Sequence, residues 1–366
     1  MIRSRRQSLA KSLGLALALA FWCEYLVYPV VLFQCGYPSA DPDPKASAPI
    51  RTLILADTHL LGSRNGHWFD KLRREWQMHR AFTTAYAWFR PELVIFLGDL
   101  FDEGKWCAPD EFEYYVRRFQ ELFPMDPKQT LAAVVAGNHD IGFHYSVTPY
   151  LNNRFERAFE MSSVDRFSLK GVHFVSVNSM AMEGDDCFLC SKARDELTKI
   201  SGQLQCLARG NDCDIDYDFD DKTPQYSRPV LLQHFPLFRE SDAACNEEDA
   251  APASEKYKRF REKWDCLSRN ASQTLLDVLN PRLVLSGHTH HGCRVKHERD
   301  IWEWSVSSFS WRNRNNPTFL LGTFSKHETL LAKCFLPTES FVINCYLGGA
   351  VLIVVHFVYS NYRITR

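Results

Sequence analysis

The chain has 366 residues, of which 45% are apolar and 24% are charged, and its formal net charge is -1. This length and apolar share suffice for one large domain or two average ones with a sizeable core. The near-neutral charge gives no support to a nucleic acid held by bulk electrostatics, so no nucleic-acid partner is expected.

Both ends of the chain are unusually apolar. Residues 13–33 form an almost wholly hydrophobic run in which Glu24 is the only charge, and residues 341–359 form a second run without a charge. Each run is long enough to cross a bilayer as a helix. A cleaved signal peptide is the alternative for the first run, and a buried core helix is the alternative for the second. The first run continues well past its small residues, which favours a retained anchor.

Basic residues flank both runs on their outer sides, as Arg5 and Arg6 precede the first and Arg363 follows the second. Positive flanks stay cytoplasmic, so the segment between the runs would face the lumen. The sequence thus predicts a membrane-embedded, multi-pass protein. Its predicted segments are a cytoplasmic N-terminus (1–12), a span (13–33), a linker (34–50), a lumenal domain (51–335), a second span (341–359) and a cytoplasmic tail (360–366).

The cysteines agree with a lumenal domain. Apart from Cys23 and Cys345, the cysteines lie between the two apolar runs, and disulfides persist in oxidising compartments. A predicted insertion at residues 179–228 contains Cys187, Cys190, Cys206 and Cys213. A zinc site is one interpretation of these four residues, but the spacing of the last pair does not suit it. Disulfides are favoured, with their connectivity left open.

An acidic run, residues 211–221, occurs in the same insertion and imitates an alternating-acid calcium loop. Tyr217 stands where such a loop needs glycine, and Thr223 stands where it needs a bidentate glutamate. We therefore interpret the run as a solvated acidic loop.

Short apolar runs bounded by Gly, Asn and Asp recur between the two ends, which is typical of buried strands. The predicted strands are residues 51–56, 93–97, 131–136, 172–177, 230–232 and 283–285. A stripe at helical spacing predicts a core-facing helix over residues 68–90, ended by Pro91. The stripe consists of Leu72, Trp76, His79, Phe82 and Tyr86. Strands alternating with helices indicate an α/β layered fold.

Five short motifs of metal-ligand type occur in one order, and each closes an apolar run. They are Asp57-Thr58-His59, Gly98-Asp99-Leu100-Phe101-Asp102, Gly137-Asn138-His139-Asp140, His234 alone, and Gly287-His288-Thr289-His290. Each motif by itself is weak, since such groups arise by chance in many turns. Together, their mixed oxygen and imidazole ligands favour manganese, iron or zinc over calcium.

This combination resembles the calcineurin-like metallophosphoesterase superfamily. The resemblance implies a four-layer sandwich, in which two packed mixed β-sheets are flanked by helices, and a hydrolase of phosphoric esters that uses two divalent metals, with Mn²⁺ preferred. It also implies two ligand sets joined by Asp99 as a bridge. One set is Asp57, His59, Asp99 and His290, and the other is Asp99, Asn138, His234 and His288.

The resemblance gives His139 a catalytic role as the group that contacts phosphate and protonates the leaving oxygen. Asp102, three residues after the bridging carboxylate, is then expected to pair with His139, fix its orientation and raise its affinity for the proton. His139 and Asp102 are the predicted catalytic residues.

Two departures from neighbouring subfamilies disfavour a tyrosinate-bound iron centre and a phosphoprotein substrate. An iron site of the purple-acid type would carry tyrosine in place of Asp102, and protein phosphatases carry arginine in place of Glu103. A closer resemblance, to phosphodiesterases of the glycosylphosphatidylinositol (GPI) anchor, rests on residues 67–76, 102–106 and 308–317. It implies removal of an ethanolamine-phosphate side branch from the mannose core of the GPI glycan on GPI-anchored proteins.

The same resemblance implies a place in the early secretory pathway, at endoplasmic reticulum exit sites, the intermediate compartment and the Golgi, with contacts to cargo receptors or coats. We expect Arg312 and Arg314 to pair with phosphate and Trp311 to stack on a sugar. Packing of Trp311 in the core is the alternative. Alternative functions are a lumenal hydrolase of another lipid headgroup or nucleotide, and a scaffold for trafficking without catalysis.

Overall fold

The computed structural model describes residues 2–39, 48–185, 187–210 and 226–365. The strands are β1 (Ile50–Leu55), β2 (Leu93–Phe96), β3 (Leu131–Val134), β4 (Val164–Leu169), β5 (Val172–Val177), β6 (Val230–Gln233), β7 (Leu283–Ser286), β8 (Cys293–Lys296), β9 (Trp302–Ser305), β10 (Thr318–Phe324) and β11 (Thr329–Phe335). The helices are α1 (Ile2–Phe21), α2 (Val27–Leu32), α3 (Trp68–Phe89), α4 (Pro109–Leu122), α5 (Asn138–Ile141), α6 (Pro149–Phe159), α7 (Phe188–Ala208), α8 (Ala253–Lys256), α9 (Arg269–Leu279) and α10 (Glu339–Thr365). A π-helical turn, Trp22–Leu26, joins α1 to α2. The predicted strands and the predicted long helix are confirmed to within two residues at either end.

The strands form two mixed sheets. One sheet has the order β11-β10-β1-β2-β3, and the other has the order β4-β5-β6-β7-β9-β8. Strands β1, β2 and β3 run parallel, as do β5, β6, β7 and β9. Because parallel strands share one carboxyl edge, the loops that follow them are brought together at that edge.

Side chains alternate across each strand and so build separate core layers. In β1, Ile54 belongs to the core between the sheets, whereas Leu53 and Leu55 pack with the helices. Ile95 and Phe96 of β2 divide in the same way. Both faces of each sheet are therefore covered, which confirms the predicted α/β fold with two mixed sheets.

Helix α3 packs on the outer face of the first sheet. Its buried face is formed by Met78, Ala81, Phe82, Ala85 and Phe89. The helix ends at Arg90, whose φ of 45° is left-handed, directly before Pro91. The predicted stripe was wrong at its start, because Leu72 is exposed. Trp76 lies on that outward side against Tyr25, a partner that helical spacing alone does not reveal.

Two helices are long and apolar enough to cross a membrane, Arg6–Leu32 and Glu339–Arg363. They lie against each other: the Tyr346 hydroxyl donates a hydrogen bond to Glu24, and a Cβ added to Gly349 would lie 2.4 Å from Leu19. The end of the first helix is buried in the core of the domain through Val27 and Leu32. The last turns of this helix therefore also contact the core of the domain.

Three disulfides join described residues, namely Cys35–Cys334, Cys187–Cys190 and Cys245–Cys293. The first ties the segment after α2 to the strand before α10. The second confirms a disulfide at the start of the predicted insertion, which also contributes the long helix α7. Cys213 and the acidic run 211–221 lie outside the described residues.

Candidate metal centre

The five motifs meet at the carboxyl edge of the two sheets. Asp57 follows β1 and Asp99 follows β2, while His234 follows β6 and His288 follows β7. Asn138 begins α5 shortly after β3. One sheet supplies Asp57, Asp99 and Asn138, and the other supplies the histidines of β6 and β7, so the centre lies between the sheets.

The backbone at the centre is held in the left-handed region at five of the predicted ligands. The φ angles are 53° at Asp57, 45° at His59, 50° at Asp99, 72° at His288 and 59° at His290. This region is unfavourable for residues other than glycine, and such strain clusters at functional sites. Backbone hydrogen bonds between the loops after β1 and β2 stabilise this conformation. The Asp57 N–H donates to the Gly98 carbonyl at 3.1 Å, and the His59 N–H donates to the Asp99 carbonyl at 3.0 Å.

Glycine next to a ligand lets the ligands approach one another. A Cβ on Gly137 would lie 2.1 Å from Asp99 Oδ1, and a Cβ on Gly98 would lie 2.5 Å from His234 Nδ1. Gly98 also has a φ of +89°, which side chains rarely adopt. These positions need glycine because the carboxylate and imidazole already occupy the space.

The first predicted ligand set forms one cluster, Asp57, His59, Asp99 and His290. His59 Nε2 lies 3.0 Å from His290 Nε2 and 3.5 Å from Asp99 Oδ2. His290 Nε2 lies 3.7 Å from Asp57 Oδ1. Nitrogen and carboxylate atoms that converge at these separations can share one cation.

The second predicted set forms an adjoining cluster, Asp99, His234 and His288. His234 Nε2 lies 3.3 Å from Asp99 Oδ2 and 3.2 Å from Asn138 Oδ1. Asp99 Oδ2 therefore borders both clusters, where the resemblance places a bridging ligand. The structure brings all seven predicted ligands together.

Hydrogen bonds to the second ring nitrogen fix the orientation of three of the predicted histidine ligands. His234 Nδ1–H donates to the Leu97 carbonyl at 2.7 Å, and His59 Nδ1–H donates to Asp102 Oδ1 at 3.2 Å. His288 Nε2–H donates to the Trp264 carbonyl at 2.6 Å, which leaves its buried Nδ1 without a partner among the described residues. Each of these three rings thus directs its other nitrogen toward the cluster, the arrangement by which metal-binding histidines are oriented.

The electrostatics of the centre favour a cation beside Asp99. Burial opposes the charged form of His234, but the charge and hydrogen bond of Asp99, together with the charge of Asp57, outweigh burial and raise the pKa of His234 to about 9. Burial and the charge of His234 lower the pKa of His288 to about 3. Burial raises the pKa of Asp57 to about 7. His288 is therefore neutral, as imidazole must be to bind a metal. The residues fit two divalent metals.

His139 and Asp102 adjoin the centre but contact each other differently from the prediction. His139 Nδ1–H donates to the main-chain carbonyl of Asp102 at 2.9 Å, and the Asp102 carboxylate is 3.7 Å away. That carboxylate accepts from His59 instead. Burial has the largest influence on His139 and lowers its pKa, whereas the hydrogen bond to the Asp102 carbonyl raises that pKa. The contact with Asp102 thus acts in the predicted direction, although burial outweighs it.

The three predicted substrate residues, Trp311, Arg312 and Arg314, lie in different surroundings. Trp311 is only 5% exposed, and its indole N–H donates to the Pro337 carbonyl at 2.9 Å. Stacking of Trp311 on a sugar was therefore the wrong prediction, because the ring packs against Cys23 and Val342 of the apolar helices. Arg312 reaches the centre, with one guanidinium nitrogen 3.7 Å from Asp102 Oδ2. Arg314 instead donates to Asn316 at 3.1 Å.

A cleft of about 500 Å³ opens at the metal centre, and part of its lining was not predicted from the sequence. The centre contributes Asp99, Asn138, His139, His288 and His290 to the lining. The lining also includes Phe143 and a group that we call the wall of the cleft, namely Glu255, Lys258, Arg259, Arg261 and Trp264. The Trp264 ring lies 4.9 Å from Phe143 and 5.5 Å from Tyr145. The density of Arg, Lys and Trp in residues 256–264 was the only sequence signal for this wall.

A profile of the calcineurin-like phosphoesterase family matches residues 50–292, which hold every predicted metal ligand. The chain belongs to this family. Calcineurin-like phosphoesterases use a dimetal centre, and the two clusters around Asp99 supply candidate ligands for it. The protein is a metal-dependent phosphoesterase.

Relatives cover nearly the whole chain. Metallophosphoesterase 1 of Rattus norvegicus is 48% identical over 364 residues, 98% of this chain and 91% of the relative. Metallophosphoesterase 1 of Gallus gallus is 48% identical and covers 91% of this chain and 85% of its own length. A dimetal phosphatase from Danio rerio of known structure is 14% identical, covers 79% of this chain and all of its own, and superposes with a TM-score of 0.45.

Proposed function

We propose that this calcineurin-like phosphoesterase is a phosphodiesterase that removes an ethanolamine-phosphate side branch from the mannose core of the GPI glycan on GPI-anchored proteins. The proposed role supports transport of these proteins from the endoplasmic reticulum to the Golgi. One observation carries the proposal: the cleft that holds the metal centre is also lined by cations, an acid and aromatic rings. A phosphodiester that links a sugar to ethanolamine carries a phosphate for the cations, an ammonium group for the acid and a sugar ring for the aromatic side chains.

Asp57, His59, Asp99 and His290 would hold one metal, and Asp99, Asn138, His234 and His288 would hold the other. We propose Mn²⁺, which suits mixed carboxylate, amide and imidazole ligands. Bound divalent metals neutralise phosphate charge and make water a nucleophile at neutral pH.

A residue of the chain can supply the proton that the leaving oxygen requires. Hydrolysis joins a water oxygen to phosphorus and breaks the bond from phosphorus to the mannose oxygen, which leaves with a proton. His139 lines the cleft and donates Nδ1–H to the Asp102 carbonyl, so its Nε2 is free to hold and deliver that proton. The products are ethanolamine phosphate and the mannose hydroxyl.

The wall suits the rest of the substrate. Lys258 and Arg259 line the cleft and can pair with a phosphate oxygen. Trp264, next to His288 through its carbonyl, offers a ring face to a sugar. The ethanolamine ammonium requires an anion, and Glu255 supplies one: its carboxylate lies 3.9 Å from His291 Nε2 at the cleft.

The two apolar helices support a membrane anchor at each side of the domain, with the catalytic domain in the lumen of the early secretory pathway. The disulfides Cys35–Cys334 and Cys245–Cys293 support an oxidising compartment. GPI-anchored proteins are then partners as substrates, and contacts with cargo receptors or coats belong to the same proposal.

The test uses the full chain, purified in detergent, stripped of metal and supplied with Mn²⁺. Release of ethanolamine phosphate from a GPI glycan is measured beside hydrolysis of bis-p-nitrophenyl phosphate, with Asp99→Asn as the inactive control. Release by the wild type alone supports the proposal. Cleavage of the small diester without the glycan would keep the hydrolase and reject the substrate.

A further inference from the structure

We propose that the first turn of α3 is a membrane contact, in which Trp68, Phe69 and Leu72 enter the headgroup region of the leaflet that α1 and α10 cross. This inference rests on the membrane anchoring proposed above. It assigns a lipid surface to an apolar face that is separate from the cleft and has no role in the chemistry.

The three side chains are unusually exposed for their size. Trp68 is 66% exposed, Phe69 54% and Leu72 58%, and they share one helical turn. Large apolar residues at neighbouring positions are a liability in water unless a partner covers them. Tryptophan in particular is enriched where a membrane meets water. Lys71 and Arg73 flank Leu72 and add basic side chains to the turn, which also contains the acidic Asp70.

The apolar face continues directly onto the first apolar helix. Phe69, Leu72 and Trp76 are spaced i, i+3 and i+7, so they lie on one side of α3. The Trp76 ring meets the Tyr25 ring at a centroid distance of 5.5 Å. The Arg80 guanidinium, one turn further, lies 4.6 Å from the centre of the same Tyr25 ring. The side of α3 that exposes Phe69 and Leu72 is therefore the side that carries the first helix.

The second apolar helix enters at the same place. Glu339, the first residue of α10, lies with Oε1 2.6 Å from a guanidinium nitrogen of Arg73. Arg73 follows Leu72 directly. Both candidate anchors thus meet α3 within its first half, and a bilayer crossed by them would lie beside this turn whatever other partner is present. This continuity favours lipid over a second copy of the chain as the occupant.

The contact would also fix the height of the metal centre above the membrane. The loop before α3 reaches the centre, since Asn65 Nδ2 donates to Asp102 Oδ2 at 3.4 Å and Asn65 N–H donates to Glu103 at 2.6 Å. Only His67 and Gly66 separate Asn65 from Trp68. Docking of the turn would hold the cleft near the surface where a lipid-linked glycan begins.

The test places the photoreactive residue p-benzoylphenylalanine at Phe69 in the full chain and reconstitutes the protein into phosphatidylcholine nanodiscs. After illumination, intact-mass measurement detects any gain of one phospholipid. Phe188, an exposed ring on α7 in the opposite outer layer, is the matched negative control. Leu352, exposed on α10, is the positive control for anchoring.

We expect lipid adducts at Phe69 and Leu352 and none at Phe188. Adducts at Leu352 without adducts at Phe69 would overturn the contact and leave the anchors intact. Absence of adducts at both positions would overturn the anchoring and the contact together. Cross-linking of Phe69 to a second chain instead of lipid would also overturn the proposal. None of these outcomes depends on turnover, so they are independent of the proposed substrate.

Discussion

The metal centre and the wall of the cleft line the same space but are built in different ways. The centre is held by two sheets, because its candidate ligands lie shortly after strands. The backbone is strained at most of these candidate ligands, and buried groups orient the histidine rings. The wall comes from residues 253–265, which lie between β6 and β7. It is held by a few contacts to neighbouring segments, such as the ion pair of Lys263 and Glu183 at 2.8 Å, the tilted packing of Trp264 on Phe143, and the hydrogen bond from Phe260 N–H to the Glu240 carbonyl.

This difference separates chemistry from recognition. A rigid edge can hold ligands at the separations that paired metals require, and a loop can change its residues without disturbing that edge. Substitutions in the centre should therefore reduce all hydrolysis, while substitutions in the wall should reduce only hydrolysis of the larger substrate.

The largest effect is expected for Asp99→Asn. The neutral amide removes the charge that both clusters share, so metal content and activity should fall together. The loss of activity should exceed the roughly 10²–10⁴-fold effect of losing a general acid. Metal analysis of the purified protein and hydrolysis of bis-p-nitrophenyl phosphate measure this, and full metal content with full activity would reject the shared ligand.

His139→Gln should lower kcat for a sugar-linked diester by about 10²–10⁴-fold, because the leaving sugar oxygen needs a proton. Metal content should stay at the wild-type level. Nitrophenolate leaves without a proton, so the loss with bis-p-nitrophenyl phosphate should be much smaller. Equal losses with both substrates would contradict a role of His139 as the acid.

Asp102→Asn distinguishes the contact seen in the structure from the dyad predicted from the sequence. The carboxylate orients His59, so its removal should weaken metal affinity by about 10–100-fold. Titration of the stripped protein with Mn²⁺ measures this change. A fall in kcat at unchanged metal affinity would favour the dyad with His139.

Trp264→Ala should raise KM for the glycan by up to about tenfold, as loss of an aromatic contact removes roughly 0.5–1.5 kcal/mol. The small diester, which has no sugar to place on the ring, should keep its kcat/KM. Trp106→Ala is the control, since Trp106 is also exposed but is absent from the cleft lining. An equal effect on both substrates would assign Trp264 to the centre.

The smallest effect is expected for Trp311→Phe. The change removes the hydrogen bond to Pro337 and should lower the free energy of unfolding by about 1 kcal/mol. KM for the glycan should not change, because the ring is buried. Denaturant unfolding and steady-state kinetics check the two statements, and a raised KM with unchanged stability would restore the sugar-stacking role.

The sequence by itself determined the strands, the candidate ligands and the family. Asp57, Asp99 and His234 each close a short apolar run. Because parallel strands end at one edge of a sheet, the residue that follows each strand must lie at that edge. Such a pattern is local, so it can be recognised before any fold is known.

Only the tertiary structure decided which neighbours these residues have. The Asp102 carboxylate lies nearer to His59 than to His139, although His59 is more distant from it along the chain. Trp311 is covered by apolar helices from both ends of the chain, and Trp264 takes its place beside the cleft. These contacts join residues far apart in sequence, and their free energies depend on packing that no local pattern records.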